Sequence, residues 1–550
     1  MANINFFALG GQNEKGKNCF VLEVENDIYV INAGVQAPIT NRFGVNGIIP
    51  DFEYLVKRQD RIKGVFITQA QDESFAALPW LVMDIPNVKI YSSPFTKKVI
   101  EYRISKYRIE NSNAEFIGMK NNEPLKIGNI EVVQFSLASS IGGATGYSFK
   151  TPDGDVVFLN SYILDDIGSY GKTNLEEIKK ISPKILALAI DSTRSNFSGK
   201  SSDHKNVTEH IKEAFENTDQ KSRIIVGAYD EEMFTVQEVM NLAMKNNRPI
   251  SLFGSNFQLL YDFLSDEDKD ANKYNFIDYK DVKDHDNAVV FVTGSWTRLY
   301  PRFVRIAENN DVYLKLRETD RIVMVCPPLN GLEVEYTESL DLIAQITPHI
   351  YEISYKDYYS LKPAEEDIVE TLKVLRPEHV IPTSALYRYL IVTRNLAAKN
   401  NIPFNKSVIL DNGKIAYFKN GELASQKGFI KECGPVLIDG NGVGDVELVV
   451  IKEREKLSSG GLIMIAFDVN KKQKTINEKK VVIKSLGLIS DSKKEEINEE
   501  ILKIVIEKYD QLKDERHREI INGIRKKIER RIFRLINKEP LVAVVISENY

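Results

Sequence analysis

Histidine and cysteine are scarce in this 550-residue chain, with six of the first and three of the second. The cysteines, Cys19, Cys326 and Cys433, stand far apart with no Cys-x-x-Cys pair. That spacing excludes a disulfide framework and a cysteine-rich zinc site. Two-metal hydrolases gather several His and Asp ligands from separate loops, and six histidines (His204, His210, His285, His349, His379 and His517) leave little material for one. Long apolar runs are missing too: no stretch reaches the roughly 18 residues of a membrane span. The residues after Met1 carry neither the basic nor the apolar part of a secretion signal. The expectation is a cytoplasmic chain with no membrane partner. Charge of one sign is not in excess, and a formal net charge of -5 gives no global pull toward nucleic acid. Repeats and low-complexity tracts are absent.

What the chain does have is material for large cores, with 43% hydrophobic and 27% charged residues. Its length corresponds to about three or four domains. Near the start, residues 19–24 and 27–31 read as consecutive strands, a hairpin pattern that predicts an antiparallel sheet. The preceding Leu9-Gly-Gly-Gln-Asn-Glu-Lys-Gly-Lys-Asn18 carries glycines that a simple β-turn would explain by itself. A buried strand over 62–67 then hands over to a helical segment at Thr68-Gln-Ala-Gln-Asp-Glu-Ser74. Strand-to-helix turns of this kind are where α/β folds place their chemistry. From 205 to 347, strands at 223–226, 250–253, 288–292 and 321–325 alternate with helical segments, predicting a mostly parallel sheet. After 447, strands at 462–467, 481–486 and 541–546 surround two amphipathic helices, 495–509 and 515–536. The second helix spaces Ile520, Ile521, Ile524, Ile528, Ile532 and Leu535 along one stripe.

Several of these stretches together resemble the ribonuclease J family, the β-CASP branch of the metallo-β-lactamase fold. That family opens with Leu-Gly-Gly-x-x-Glu-x-Gly-Lys-Asn, matched from Leu9. It has Ile-Pro-Asp-Phe-x-Tyr-Leu before its metal motif, matched by Ile49-Pro-Asp-Phe-Glu-Tyr-Leu55. Its metal motif reads Thr-His-x-His-x-Asp-His. Here Gln69, Gln71 and Ser74 stand where the histidines would be, and Glu73 stands for the aspartate. Further along, Ser139 replaces a histidine and Ser161 replaces the aspartate that bridges two metals, whereas Asp191-Ser192-Thr193 keeps the Asp-Ser-Thr motif. The segment Asp357-Tyr-Tyr-Ser-Leu-Lys362 meets His-x-Ser-Gly-His-Ala, with Asp357 and Leu361 at the histidines. Ser384 occupies the last ligand position, inside an otherwise kept frame of Ile381-Pro382 and Tyr387-Arg388. None of the six histidines falls on a ligand position. An amide or hydroxyl oxygen is a poor ligand for Zn²⁺ or Mn²⁺ beside an imidazole nitrogen.

The resemblance implies an αββα metallo-β-lactamase sandwich over 1–204 and 348–432, with a β-CASP α/β domain inserted at 205–347. A linker over 433–446 and a small α/β domain over 447–550 complete the expectation. It also implies a pseudoenzyme: no zinc or manganese cofactor, no catalytic residue, and a role as a non-catalytic subunit beside an active ribonuclease J. Self-association through the C-terminal and β-CASP domains is expected, with RNA as a ligand within the complex. Residual RNA-cleft contacts are expected at Asp191, Ser192, Thr193 and Ser295. Against strong RNA binding, Glu231-Glu232 and Ser255 stand where the family has polar residues and an arginine. Two alternatives stay open: a stand-alone RNA-binding protein, and a weak ribonuclease using an oxygen-only metal site built from Asp72, Glu73, Asp191 and Asp357. A serine nucleophile is disfavoured, because no motif supplies its base. The basic run Arg525-Lys-Lys527 with Arg530, Arg531 and Arg534 reads first as a solvated helix face balanced by Glu519 and Glu529.

Overall fold

The computed structural model describes residues 2–37, 44–107, 109, 112–266, 273–329, 331–354, 361–439, 442–443, 448–470, 473–488 and 494–549. The chain forms two compact units, 1–40 with 46–437, and 41–45 with 438–550. No helix among the described residues is long and apolar enough to cross a membrane.

In the first unit, eight strands form one sheet in the order Glu422–Phe429, Lys414–Lys419, Asn3–Gly10, Cys19–Val24, Asp27–Ile31, Ile62–Phe66, Lys89–Ser92, Glu115–Gly118. The hairpins at the start are antiparallel as expected, but from Asp27–Ile31 outward the pairing turns parallel. Helical crossovers such as Leu78–Asp84 and Pro94–Ser105 join the later strands, and a crossover returns a strand in the same direction where a tight turn reverses it. A second sheet has six strands, ordered His379–Thr383, Ile185–Asp191, Asp155–Leu159, Thr145–Lys150, Ile130–Ser136, Pro124–Ile127. The two sheets face each other across an apolar layer containing Phe6, Phe20, Tyr29 and Phe66 from one and Ile130, Tyr147, Phe149 and Phe158 from the other. Phe66 stacks on Tyr91 at 5.0 Å and meets the edge of Phe149 at 5.2 Å. The outer face of the second sheet is covered by Leu175–Ile181, Glu365–Leu375 and Tyr387–Lys399, through Ile178, Leu372 and Leu396. This is the metallo-β-lactamase sandwich.

Inserted in it is a wholly parallel sheet of five strands, ordered Ile250–Phe253, Val289–Gly294, Ile224–Tyr229, Arg321–Met324, Ile350–Glu352. Its central strands are buried almost throughout, as a sheet covered on both faces requires.

In the second unit, Leu462–Asn470 is the central strand, pairing parallel with Leu541–Asn549 and antiparallel with Val482–Leu486 and Thr475–Ile476. Helices Lys494–Leu512 and His517–Ile536 pack on it with Ile501, Ile504, Ile520, Ile524, Ile528 and Ile532 buried. Leu535, read from sequence as part of that stripe, is instead 43% exposed. The charge pairing also differs from expectation: Glu529 pairs with Lys456 at 3.2 Å and Arg531 with Glu500 at 2.8 Å, so the last helix does not neutralise itself.

Candidate functional site

Strand direction assembles the site. Ile130–Ser136, Asp155–Leu159, Ile185–Asp191 and His379–Thr383 all run the same way, because Thr145–Lys150 reverses between the first two and the rest pair in parallel. Their C-terminal ends therefore deliver Ser139, Ser161, Asp191 and Ser384 to one rim of the sandwich. The turn after Ile62–Phe66 reaches the same rim, since the Thr145 and Tyr147 side of the second sheet donates to it. Thr145 N–H meets the Thr68 carbonyl at 2.8 Å, and Tyr147 O–H meets the Ile67 carbonyl at 2.8 Å. Asn32 pins the turn from behind by accepting from the N–H and hydroxyl of Thr68 at 2.9 and 3.0 Å. Gly34 must be glycine there, because a Cβ would lie 1.7 Å from the Glu73 carbonyl oxygen.

On this rim the substituted positions hold one another. Gln69 Nε2 donates to Gln71 Oε1 at 2.5 Å, Gln71 Nε2 to Ser140 Oγ at 3.1 Å, and Ser139 Oγ to Gln69 Oε1 at 3.4 Å. Ser384 Oγ donates to Asn160 Oδ1 at 3.0 Å. Ser161 N–H donates to Asp191 Oδ2 at 3.0 Å, and Thr193 donates to Asp191 Oδ1 from both its N–H and its hydroxyl, at 2.7 and 2.5 Å. Ser161 and Ser384 both sit in the left-handed region, with φ of 48° and 62°. L-residues occupy that region at a cost of roughly 1–2 kcal/mol. Both strained residues stand at positions where the family resemblance implies metal ligands. Ser74 is buried, its carbonyl accepting from Ala33 N–H at 2.8 Å, and Leu361 is a buried apolar side chain. Asp357 lies outside the described residues. Of the expected cleft contacts, Asp191 and Ser192 are buried, while Thr193 and Ser295 are partly exposed.

Sequence reasoning missed the centre of the arrangement. Lys362, directly after Leu361, pairs its Nζ with Glu73 Oε1 at 2.5 Å, the carboxylate buried and the lysine side chain 12% exposed. Burial pulls the Lys362 ammonium down, but Glu73 and Asp191 outweigh it and hold the pKa above its usual value. Burial raises the Asp191 carboxyl, against the pull of Lys362. A second lysine, Lys15, is held down at about 8 by burial and by Lys362. Its Nζ lies 4.9 Å from the Trp296 ring centre, across from the inserted domain. The available signal was the motif itself: Lys362 directly follows Leu361, which stands at one of the ligand positions the resemblance implies. Among the described residues, no group of three or more His, Cys, Asp or Glu is placed to hold a metal ion.

The cleft between the sandwich and the inserted sheet is bridged at this same turn. Glu231 Oε1 accepts from Asp72 N–H at 2.6 Å, and Arg103 Nη2 pairs with Asp72 Oδ1 at 2.7 Å. Burial and the nearby Asp72 carboxylate push the Glu231 pKa well above the usual range. Phe234 N–H donates to the Ser140 carbonyl at 3.0 Å, and Tyr170 O–H to Gln237 Oε1 at 2.8 Å.

Comparison with known proteins agrees with this architecture. Residues 221–343 match the family "Ribonuclease J, beta-CASP domain", and residues 449–549 match "Ribonuclease J C-terminal domain". The chain is 28% identical to the uncharacterized protein MG423 of Mycoplasma genitalium over 99% of this chain and 100% of that one. It is 26% identical to ribonuclease J2 of Bacillus subtilis over 86% of this chain and 85% of that protein. A solved structure of a protein of unknown function from Enterococcus faecalis superposes with a TM-score of 0.52 at 14% identity, covering 76% of this chain and 100% of that one. The two domain matches and the likeness to ribonuclease J2, resting on a metallo-β-lactamase sandwich with a β-CASP insertion, make this chain similar to the ribonuclease J family across both of those domains.

Proposed function

We propose that this chain is a non-catalytic member of the ribonuclease J family and works in the cytoplasm as a subunit of an RNA-processing complex beside an active ribonuclease J. One observation carries the reading: the largely buried Lys362–Glu73 ion pair stands among the substituted ligand positions. A bound metal pair supplies positive charge that holds converging carboxylates. Here the Lys362 ammonium supplies that charge to Glu73 and Asp191, so the rim is balanced without a cation. The residues present do not fit the family's zinc or manganese pair. They offer amide and hydroxyl oxygens that already bond to one another, and an ammonium that would repel an incoming ion.

The alternative of a weak ribonuclease with an oxygen-only site requires Glu73 to leave Lys362, and Asp191 to leave Thr193 and Ser161. The alternative of a stand-alone RNA-binding protein using the cleft is opposed by Glu231, an acid, bridging it. Under the favoured reading, what selection keeps is shape: strained ligand turns, kept connectors, and surfaces for self-association and for the active paralogue.

The test has two measurements. Quantitative co-purification of the tagged chain from its own cells should bring down an active ribonuclease J in near-equal amount, and capture of the chain alone overturns the subunit role. Purified chain incubated with Mn²⁺ should then show no stoichiometric metal by elemental analysis and no cleavage of 5′-monophosphorylated RNA. Metal retention with cleavage that Glu73→Ala abolishes overturns the non-catalytic reading.

A further inference from the structure

The last helix, His517–Ile536, carries seven lysine and arginine residues against two glutamates, in a chain whose total charge is -5. Its apolar side, Ile520, Ile524, Ile528 and Ile532, is buried in the second unit. The opposite side exposes Arg525, Lys526, Lys527, Arg530 and Arg534. None of these five has an ion-pair or hydrogen-bonding partner among the described residues. The carboxylates that would balance such a face are turned elsewhere. Glu529 is taken by Lys456, and Glu519 lies against Glu515 at the start of the helix. Lys526, Arg530 and Arg534 recur every four residues, and so form a row rising about 6 Å per step. Phe533, three residues after Arg530, flanks that row and is 47% exposed.

Two plainer explanations fall short. Cations near a helix C-terminus offset the helix dipole, which accounts for Arg534 but not for Arg525, Lys526 and Lys527 two to three turns earlier. An amphipathic helix lying on a lipid surface needs its apolar side free, and here that side is the core. What remains is a fixed row of unpaired cations with an aromatic ring among them, the combination that tracks a phosphate backbone and stacks a base.

We propose that the exposed face of helix His517–Ile536 is a binding surface for single-stranded nucleic acid, with Lys526, Arg530 and Arg534 on phosphates and Phe533 against a base. The proposal does not rest on the reading of the substituted metal site and holds whether or not that site is silent. The test uses the full chain and a fluorescent single-stranded RNA of about 16 nucleotides, with anisotropy titrations at several KCl concentrations. The wild type should bind with affinity that falls as salt rises. Lys526→Gln/Arg530→Gln/Arg534→Gln should weaken binding by roughly tenfold and flatten the log–log salt slope by about 2, because each lost phosphate contact removes about 0.7 on a single strand. Phe533→Ala should weaken binding with the slope unchanged. Lys503→Gln/Lys508→Gln on the neighbouring helix should leave both quantities alone, and circular dichroism confirms folding of each variant. Failure of the wild type to bind RNA overturns the proposal. So does binding that the triple variant retains, or a face that holds only anionic phosphatidylserine vesicles or an acidic protein.

Discussion

The rim of the sandwich and the last helix treat charge in opposite ways. At the rim, Glu73 and Asp191 are buried and Lys362 nearly so, and each is answered by a neighbour: an ammonium for one carboxylate, N–H groups and a hydroxyl for the other. On helix His517–Ile536, five cations stand in water with no partner among the described residues. A buried charge is tolerated only when paired, because desolvation costs several kcal/mol per ion. A solvated charge carries no such demand and remains available to a ligand. The first arrangement is charge built into the fold, and the second is charge left open at the surface.

The largest effect should come from breaking the buried side of this comparison. Lys362→Met leaves Glu73 buried with its main partner gone, and should destabilise the first unit by about 3 kcal/mol. Urea titration followed by tryptophan fluorescence measures it, and adding Glu73→Leu should recover most of the loss. An undiminished urea midpoint in the single variant would mean the pair contributes nothing. Next in size is the roughly tenfold loss of RNA affinity for the glutamine triple variant of the exposed row. That same variant should leave the urea midpoint where it was, which separates open charge from closed.

Glu231→Gln sharpens the comparison through pH. The folded pKa of Glu231 lies above its unfolded value, so the folded state holds this proton more tightly than the unfolded state. Its ionisation therefore detracts from stability once the pH rises above the unfolded pKa, and the penalty grows until the folded pKa is passed. Thermal melts should show the glutamine variant level with wild type near pH 4, and above it at neutral pH by a margin that widens between. A gap that is constant with pH would remove the carboxyl as the cause. The smallest effect is expected at Ser161, whose left-handed backbone and buried hydroxyl, without a partner among the described residues, both favour glycine. Ser161→Gly should stabilise by about 0.5–1 kcal/mol, seen as a small rise in melting temperature.

Much of this could be read from residues in order. Strand-forming runs, the parallel insertion and the two C-terminal helices follow from apolar periodicity, which depends only on neighbours along the chain. The substitutions at Gln69, Gln71, Ser139, Ser161 and Ser384 were legible because the frames around them are intact. The mixed pairing of the first sheet was not, since strand direction depends on what the crossovers do in space. Lys15 was invisible as a site residue, as it lies in a glycine turn about 280 residues from Trp296 and meets it only across the folded cleft. Glu519 and Glu529 looked like local partners for the basic run because spacing makes i,i+4 pairing available, but Lys456 from another helix took Glu529 first.

The sequence alone determined which elements form and which residue types stand at the positions the resemblance gives to metal ligands, because both are properties of residue type and short-range order. Only the tertiary structure decided which charges are answered. Pairing is set by burial and by distances of a few ångströms between residues that lie far apart along the chain, so Lys362 closed on Glu73 and the row from Lys526 to Arg534 stayed open.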